Sequence, residues 1–461
     1  MPGLRVRTEK VCPMPPLSRL ALLSAALASA VSPTLAKEDE VTHLETITVI
    51  ASSEPVDLSR TGATVNVLTA GEIEKAGDKS VATLLARLPG LSMTRNGGLG
   101  ASTALRIRGL SGPYIGVRID GIDVADPAGT QCQYDFGATT AGGISRIEVL
   151  RGSQSALYGS EAIGGVVDIT TFRASKEGTE AQVDLETGAH GTSSGTASVG
   201  LKTARGELAF SASRIVTDGI SAAAAGTETD GFRATTLSFY GSYALTDTVT
   251  VGLNGIARDS FTEFDSPPAD TAETEDGKLR GLRAFVRAET GAVRHELSYA
   301  HTETERLYPL GWTKAFTGTR DQIGLKGNWD AGGTVSLNWG LDRTEEDFTN
   351  DAVGGASSTN SVFGEALYAP TETLDLSFAL RHDTHSSFGG KTTGRAAMAW
   401  RPTDAWIIRA VAGTGFRAPS LYELHGPFKN PGLVQRFIEK NLLKNTSITQ
   451  PKKDPIINKY R

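Results

Sequence analysis

From residue 180 to about residue 428 the sequence alternates between apolar and polar residues, and this alternation restricts the fold more than any other feature. The segments 323–329, 335–341 and 374–380 alternate strictly, and a less pure form continues in 208–212, 237–243 and 406–410. A period of two residues is typical of β-strands with one apolar and one polar face. We count about thirteen such strands of about ten residues each, the length that a tilted membrane strand needs.

The connections between these strands alternate in length. Short turns are predicted near 203–206, 245–248, 290–291, 330–333, 370–373 and 402–404, and longer polar loops near 217–231, 261–278, 305–318 and 346–358. Transmembrane barrels have short turns on the periplasmic side and long loops outside, whereas a soluble all-β array, the alternative, has no reason to separate them. We therefore expect an antiparallel transmembrane barrel, although an odd strand count departs from the even numbers of single-chain bacterial barrels.

The N-terminus has the pattern of a secretory signal peptide. An apolar segment, 20–31, follows the basic residues Arg5, Arg7, Lys10 and Arg19. One candidate cleavage site with small residues lies within this segment at 28–30, and another lies after it at 34–36. The segment is too short for a membrane-spanning helix, which makes a membrane anchor the weaker alternative. The sequence therefore predicts a signal peptide at 1–36 and export, with Met1 or Met14 as the start.

Charge and motif content exclude several functions. The net charge of −6 gives no reason to expect nucleic acid as a partner. Of the two cysteines, Cys12 lies in the predicted signal peptide, which leaves Cys132 alone, and no Cys/His cluster has the spacing of a metal site. The seven histidines accompany no nucleophile or metalloprotease motif. We therefore predict that the protein is not an enzyme.

Two further regions precede the alternating part. Residues 37–60 are polar and extended apart from the strand-like patch 45–50, which either pairs with the sheet of another protein or forms the first strand of the next domain. Residues 61–172 read as a compact mixed domain with strands at 65–68, 104–108, 116–119, 144–150 and 166–170. Thr69 is expected to cap a helix that begins at Ala70, and Ser80 a second helix over 81–88.

Several motifs in this region resemble the plug domain of TonB-dependent outer-membrane receptors. They are LLARLPG at 84–90, RIRG at 106–109, IDG at 119–121, IEVLRG at 147–152, LYGS at 157–160 and IGGVVDI at 163–169. The segment Glu45, Thr46, Ile47, Thr48 and Val49 resembles the TonB box of the same family, and GFRAPSLYEL at 415–424 resembles a barrel motif. The resemblance covers about residues 45–172, and the barrel pattern extends it to about 428.

The resemblance implies an α+β plug domain, here 61–172, followed by a transmembrane antiparallel β-barrel, of which 180–428 is the readable part. The resemblance implies a complete barrel of 22 strands, of which about thirteen are readable here, and a barrel of that size has a plugged lumen. The implied structural residues of the plug are Arg108, Gly109, Asp120, Gly121, Arg151, Gly152, Tyr158, Gly159, Gly164 and Gly165. Charged bonds between plug and barrel are expected from Arg106, Arg108, Arg118, Arg151, Asp120 and Glu148.

The implied function is energy-coupled uptake across the outer membrane of a Gram-negative bacterium by a monomer that lies in outer-membrane lipid. TonB would pair with 45–49 and pull on the plug. Within the family the likeness is greatest to cobalamin receptors, followed by ferric-siderophore receptors, so the ligand is a corrinoid or a small-molecule chelate. The plug loops 95–102 and 123–136 are the candidate binding loops, with Arg95, Asn96, Asp126, Gln131, Gln133 and Tyr134 as candidate ligand-binding residues. A passive porin is the alternative of another class, but a porin needs neither a plug nor a TonB box.

No organic cofactor is expected, but two acidic loops contain the oxygen ligands that calcium prefers. These loops are 265–276 and 345–351, and charges that only solubilise them are the alternative. The tail, 429–461, loses the alternation and is rich in Lys and Arg. We interpret it as a solvated basic tail or as the foreign end of a truncated or frameshifted gene, in which case the chain is a non-functional fragment of an uptake receptor.

Overall fold

The structure is a computed structural model. It describes residues 47–48, 50–224, 226–266, 270–403, 405–427, 438–440 and 445–449. The predicted signal peptide, three residues of the predicted TonB box (Glu45, Thr46 and Val49) and most of the basic tail lie outside the described residues.

The plug region contains a five-stranded sheet, a two-stranded hairpin and three short helices. Its strands are β1 (Ile47–Thr48), β2 (Val56–Asp57), β3 (Thr64–Thr69), β4 (Leu91–Arg95), β5 (Thr103–Ile107), β6 (Ile115–Ile119), β7 (Ile122–Asp123), β8 (Ile144–Arg151) and β9 (Gly165–Thr171). Its helices are α1 (Ala70–Ala76), α2 (Val81–Ala86) and α3 (Ser155–Tyr158), and a 3-10 turn covers Gly112–Tyr114. The sheet order is β3-β8-β9-β6-β7, in which only β6 and β9 are parallel among the neighbours, and β4 pairs with β5.

Local sequence signals explain the helix ends, with one correction. Thr69 and Glu72 form a capping box, in which the Thr69 backbone N–H donates to the Glu72 carboxylate at 2.9 Å, and α1 ends at Gly77 in the left-handed conformation. Ser80 does occupy the cap position of α2, but its hydroxyl accepts from the Arg95 guanidinium at 2.8 Å instead of capping the helix. The helix also ends at Ala86, two residues before the predicted end.

An apolar core holds the plug together and extends to the barrel wall. It joins the helices to the sheet through fully buried side chains that include Val81, Leu85, Ile107, Ile147 and Val167. Ile256 and Leu279, from two barrel strands, belong to the same cluster. Burial of these side chains is the main stabilising contribution, at roughly 1.5–3 kcal/mol for each fully buried large aliphatic group.

The alternating part forms one antiparallel sheet of consecutive strands. They are β10 (Gly178–Thr187), β11 (Ser193–Thr203), β12 (Gly206–Thr217), β13 (Phe232–Ala244), β14 (Val249–Phe264), β15 (Glu273–Thr290), β16 (Val293–Leu307), β17 (Ala315–Asp330), β18 (Val335–Asn350), β19 (Gly354–Thr371), β20 (Leu374–His385), β21 (Gly389–Thr403) and β22 (Trp406–Gly413). Each pairs with the next, and β25 (Asn445–Thr449) pairs with β22. The predicted fold class and the count of thirteen readable strands are confirmed.

Strand length was underestimated. The strands reach 18 residues in β15 and β19, because much of the predicted loops 261–278, 305–318 and 346–358 is strand, whereas 217–231 is a loop as predicted. The predicted loop 346–358 is reduced to residues 351–353 between β18 and β19. Toward the ends of the strands that the longer loops connect, both strand faces are polar. The period-two pattern therefore disappears there, although the backbone hydrogen bonds between the strands continue.

The two faces of the barrel sheet differ as the alternation predicts. Large apolar side chains such as Leu208, Leu325 and Phe378 are exposed on the outer face, while Ser211, Asn328 and Asn338 are buried on the inner face. Four exposed tryptophans lie on the outer face, toward the ends of strands that are joined by short turns. They are Trp329, Trp339, Trp400 and Trp406. An apolar outer band with interfacial aromatic residues is the surface that a bilayer covers.

The segment after β22 folds back against the plug. It contains β23 (Gly415–Arg417), which pairs with β24 (Ile438–Lys440), and helix α4 (Leu421–His425), which begins with a capping box at Ser420. The Ser420 hydroxyl also donates to the Thr130 carbonyl at 2.8 Å. None of the helices in the described ranges has the length and apolarity that a membrane span requires.

Candidate functional site

The plug and the barrel enclose a cavity of about 800 Å³, which we call the outer cavity. It lies at the end of the sheet where the connections 218–231, 265–272 and 308–314 are found, which we call the loop end. Its lining combines the plug loops 95–102 and 124–138 with barrel residues such as Arg258, Glu275 and Tyr308. A concave site of this size is within the range of small-molecule binding pockets.

Four of the six predicted ligand-binding residues line the outer cavity, namely Arg95, Asn96, Asp126 and Tyr134. Gln131 and Gln133 do not. The Gln133 carbonyl accepts from the backbone N–H of Asp126 at 3.1 Å, and its side chain packs beside Gly112, while Gln131 is exposed. The 123–136 loop turns back on itself at these two residues, so only its flanks reach the cavity.

Two arginines of the outer cavity are bound to hydroxyl groups. Arg95 donates to Ser80 and to Thr103, at 2.8 and 3.1 Å, and burial lowers the pKa of Arg95. Arg258 donates to the hydroxyls of Tyr134 and Thr139. Across the described ranges neither arginine forms an ion pair, and the nearest charge that acts on Arg95 is the Asp135 carboxylate, which also lines the cavity. Arg258 was missed from the sequence because many polar residues of the barrel strands face the lumen.

Other polar groups of the outer cavity attach the plug to the barrel. Arg306 pairs with Asp126 at 2.9 Å, and Thr304 donates to the same carboxylate at 2.7 Å. Tyr308 donates to Glu275 at 2.7 Å. The two contacts of Asp126 hold the flank of the 123–136 loop against strand β16, and the Tyr308–Glu275 bond lies within the barrel wall of the same cavity.

A buried arginine makes a second attachment beside the cavity. Arg320 of β17 binds Asp123 of the plug and Glu346 of β18, and its guanidinium lies 3.3 Å from the Cys132 sulfur. Burial raises the pKa of the Cys132 thiol, so the thiol stays protonated and inert. This arrangement agrees with Cys132 as a small buried residue of the plug.

Most of the charged plug residues expected to reach the barrel do not do so. Arg151 donates to the Pro89 carbonyl at 2.6 Å and to Asn66, both within the plug. Arg106 and Arg108 are exposed, and Arg118 stacks on the Tyr158 ring at 4.9 Å. The Asp120 carboxylate pairs with Arg173, and only the Asp120 carbonyl accepts from barrel Asn254, at 3.1 Å. Short sequence motifs do not show which plug side chains point outward, and this expectation was wrong for those residues.

The predicted structural glycines serve turns and close contacts. Asp120 and Gly121 both have positive φ in the two-residue turn between β6 and β7, as an Asp-Gly hairpin turn requires. A Cβ at Gly165 would lie 2.2 Å from the Leu150 carbonyl oxygen, so only glycine fits beside β8. Gly109, Gly152 and Gly159 also have positive φ, and Gly164 packs against Leu110 and the Tyr114 carbonyl.

The described part of the predicted TonB box is attached to the plug. Ile47 and Thr48 pair with β2 in a separate two-stranded sheet rather than with the main plug sheet. The Thr48 hydroxyl donates to Glu148 at 2.5 Å, and Arg146 donates to the Ile47 carbonyl. The Tyr158 hydroxyl donates to the Ile50 carbonyl at 2.9 Å. We call residues 47–62 of the described chain the coupling segment.

The rest of the coupling segment is held by the barrel. Ser52 donates to Glu365 at 2.7 Å, and Arg60 pairs with Asp375 at 2.8 Å. Arg401 donates to the Ser59 carbonyl, and Arg409 to the carbonyls of Leu58 and Thr61. The segment is therefore bonded to the inner wall formed by strands β19 to β22 directly after its contacts with the plug.

Three carboxylates meet above the outer cavity. One oxygen from each of Glu228, Asp265 and Asp270 lies within 4.8 Å of the others. Asp265 accepts from the backbone N–H groups of Ala223 and Thr271. The hydrogen bond between Glu228 and Asp270 raises the pKa of Glu228 to about 7. An all-oxygen donor set suits calcium, which would displace the shared proton. In the other predicted acidic loop, Glu346 is already paired with Arg320, and Asp351 accepts from the backbone N–H groups of residues 314 and 315.

Two sequence models of known families match the chain. The model described as the TonB-dependent Receptor Plug Domain matches residues 57–166. The model described as a TonB dependent receptor-like beta-barrel matches residues 177–450. Together they cover most of the plug, the residues that line the outer cavity and all thirteen consecutive barrel strands.

Solved structures share the fold at low sequence identity. The siderophore receptor PirA of Acinetobacter baumannii superposes with a TM-score of 0.65 at 18% identity, over 78% of this chain and 62% of that one. A mutant ferric enterobactin receptor (PfeA) of Pseudomonas aeruginosa, in complex with enterobactin, gives 0.64 at 18%, over 78% and 63%. The FrpB iron transporter of Neisseria meningitidis gives 0.66 at 13%, over 79% and 65%. The chain thus spans less than two thirds of the length of each of these proteins.

Proposed function

The chain belongs to the family of TonB-dependent receptors, and from this premise we propose that it is an outer-membrane receptor that binds a ferric siderophore for TonB-energised uptake. Family membership rests on the plug and barrel matches, which together span residues 57–166 and 177–450. The outward apolar belt suits the outer membrane as its location. The transported ligand undergoes no covalent change in this proposal.

One observation carries the choice of ligand. Arg95 of the plug and Arg258 of the barrel both border the outer cavity and are hydrogen-bonded only to hydroxyls. Two guanidinium groups without an ion-pair partner among the described residues can donate charge-assisted hydrogen bonds to an anionic ligand, and such bonds are about twice as strong as neutral ones. Tyr134 and Tyr308 add aromatic surface to the same cavity. An anionic ferric chelate fits this lining better than a corrinoid.

The similar structures support the same choice. They include receptors for siderophores and an iron transporter, and one holds enterobactin. We therefore place the ferric-siderophore alternative ahead of the initial expectation of cobalamin. A passive porin is disfavoured, because the plug is bonded to the lumen wall by Arg306 and Arg320, and a porin needs no plug.

Coupling to TonB would act on the coupling segment. Thr48 is buried against Glu148, and the barrel holds the segment from Ser52 to Thr61. A pull on the residues before Ile47 would therefore load the contacts of Ile47, Thr48 and Ile50 with the plug before those of Ser52 to Thr61 with the barrel. Strand addition by a periplasmic domain of TonB is the mode of binding that an extended segment permits.

The proposal is tested by ligand binding to the full chain in detergent. Quenching of tryptophan fluorescence is titrated with ferric enterobactin and, separately, with cyanocobalamin. We expect saturable binding of the ferric chelate, weakened at least tenfold by Arg95→Gln combined with Arg258→Gln. The control is Arg214→Gln, which alters an exposed arginine bonded only to Thr235 and should leave the affinity unchanged. Binding of cyanocobalamin alone, or an affinity for the ferric chelate that does not respond to the double variant, would overturn the proposal.

A further inference from the structure

A second cavity of about 720 Å³ lies between the plug and the barrel, and we call it the inner chamber. It is bordered by residues 50 and 52–55 of the coupling segment, by the β6–β7 turn, and by barrel residues near the short connections 245–248, 291–292 and 331–334. It shares no lining residue with the outer cavity. The inner chamber is therefore a separate space on the far side of the plug.

An apolar contact lies between the two spaces along strands β14 and β15. Ile122 of the plug, Ile256 of β14 and Leu279 of β15 are all buried in one cluster. A Cβ placed on Gly281 would meet Ile256 at 3.1 Å and Ile122 at 3.3 Å, so the barrel wall and the plug are in close contact here. Along β14 this contact lies between Arg258 of the outer cavity and Asn254 of the inner chamber.

Most charged groups of the inner chamber neutralise one another. Arg283 and Arg287 share Glu296, at 2.6 and 2.8 Å. Arg294 pairs with Glu54, Arg381 with Asp342, and Arg173 with Asp120, each at 2.8–2.9 Å. These pairs leave little net charge on most of the wall.

Two cations of the chamber are different. Within the described ranges, the side chains of Arg118 and Lys326 form neither an ion pair nor a hydrogen bond, and the Arg118 guanidinium stacks on the Tyr158 ring. Asp168 lies opposite Arg118 in the register of β6 and β9 without pairing with it. Burial, followed by the neighbouring charge of Glu148, raises the pKa of Asp168 to about 7. At neutral pH Asp168 therefore offers Arg118 only a partial negative charge.

Cations that lack an ion-pair partner between two packed surfaces need either water or an anion, because their charges are less screened there than in bulk solvent. We propose that the inner chamber is a transit site for an anionic solute, with Arg118 and Lys326 as its binding residues. The chemical class is a chelate that carries several carboxylate or catecholate groups. This inference rests on the proposed function, since the solute would reach the chamber from the outer cavity when the plug rearranges.

The chamber also adjoins the coupling segment. The Tyr158 ring lies under Arg118, and its hydroxyl donates to the Ile50 carbonyl. Residues 52–55 form part of the same wall. An anion bound by Arg118 would therefore lie next to the segment on which TonB is proposed to act, on the side from which the solute must leave.

Citrate is a suitable probe, and the test is calorimetric titration of the full chain in detergent. We expect citrate to bind, and the double variant Arg118→Gln, Lys326→Gln to weaken its binding at least tenfold while the affinity for ferric enterobactin stays the same. The outer-cavity variant Arg95→Gln, Arg258→Gln should show the reverse response. Lys326→Arg retains the charge and should bind citrate within about twofold of the parent chain, which controls for misfolding.

The outcomes separate the two proposals. Citrate binding that is absent, that survives the Arg118/Lys326 double variant, or that falls equally in the outer-cavity variant would overturn the transit site. Failure of ferric enterobactin to bind would overturn the proposed function, whatever citrate does. Loss of citrate binding in the inner variant alone, with far-UV circular dichroism unchanged, would support the transit site.

Discussion

The side-chain hydroxyl of Thr48 donates a 2.5 Å hydrogen bond to the carboxylate of Glu148, one hundred residues later in the chain. Both side chains are buried, with 0% and 1% of their surface exposed. Glu148 also pairs with Arg146, which holds the neighbouring Ile47 carbonyl. The described residues of the predicted TonB box, Ile47 and Thr48, are thus held by the sheet of the plug.

Loss of this hydrogen bond should free the coupling segment without unfolding the plug. Thr48→Val removes the donor and leaves a buried carboxylate short of one partner, at a cost of about 1.5–3 kcal/mol. We expect hydrogen exchange at the amides of Thr48 and Ile50 to accelerate at least tenfold. The matched control is Thr64→Val in β3, whose hydroxyl bonds to no other described residue, and equal acceleration in both variants would contradict the prediction.

The plug should become less stable as the pH rises from about 4 to about 7. Burial, with Glu148 opposite it, raises the pKa of Asp168 from 3.8 to about 7, so the folded plug binds a proton that the unfolded chain releases near pH 4. Stability from this group is complete below pH 4 and is lost between about pH 4 and 7. Asp168→Asn should therefore gain up to ~4 kcal/mol relative to the parent between pH 4 and pH 8.

This pH dependence is measurable as the difference in opening free energy of the Val149 and Val167 amides between parent and variant. Because the intrinsic exchange rate of each amide changes with pH in the same way in parent and variant, it cancels when the two opening free energies are subtracted. Glu74→Gln, on the exposed side of α1, is the control and should show no such trend. A difference that stays constant from pH 4 to pH 8 would contradict the assigned titration.

Gly100 should be far more sensitive to substitution than Gly77, although both have positive φ. A Cβ at Gly100 would lie 2.1 Å from the buried Phe232 ring, whereas nothing lies within 4 Å of the corresponding position at Gly77. Gly77→Ala carries only backbone strain of about 1–2 kcal/mol, and Gly100→Ala adds about 1–3 kcal/mol of overpacking. The urea concentration at which maleimide labels Cys132, read by mass spectrometry of its peptide, should fall further for Gly100→Ala. Equal shifts would show that Phe232 does not hold the 96–102 loop.

Calcium should order the loops above the outer cavity. Glu228, Asp265 and Asp270 bring three carboxylates together from the connections 218–231 and 265–272. We expect added calcium to slow hydrogen exchange in both connections and Glu228→Gln to weaken this effect. Asp276→Asn lies in the same acidic stretch but outside the cluster, so it serves as the control. If protection does not depend on calcium, or both variants respond alike, the acidic loops only contribute charge.

The elements that followed from the sequence depend on residues close together in the chain. The alternation in 335–341 places its apolar side chains on the outer face because side chains of a strand point to opposite faces in turn. Thr69 and Glu72 are three residues apart, so their capping box was predictable. Strand β4 was missed because its five residues lie between a Pro-Gly turn and a glycine-rich loop, which leaves too short a pattern.

The partners of the charged residues depend on contacts between distant parts of the chain. Arg151 was expected to reach the barrel, yet it bonds to Pro89 and Asn66 inside the plug. The contacts that do join the two parts include Asp126 with Arg306. Alternation shows that a strand residue such as Arg306 faces the lumen, but not which plug residue lies at the same height.

The sequence alone therefore determined a plug followed by an outward-apolar antiparallel sheet, because periodicity, caps and turn residues act over a few neighbouring positions. Only the tertiary structure decided that Arg95 and Arg258 border one cavity and that Arg118 and Lys326 border another. The physical reason is that the position of the plug within the barrel follows from the packing of its whole surface. No short stretch of sequence encodes that packing, and it decides which charges are paired and which remain available for a ligand.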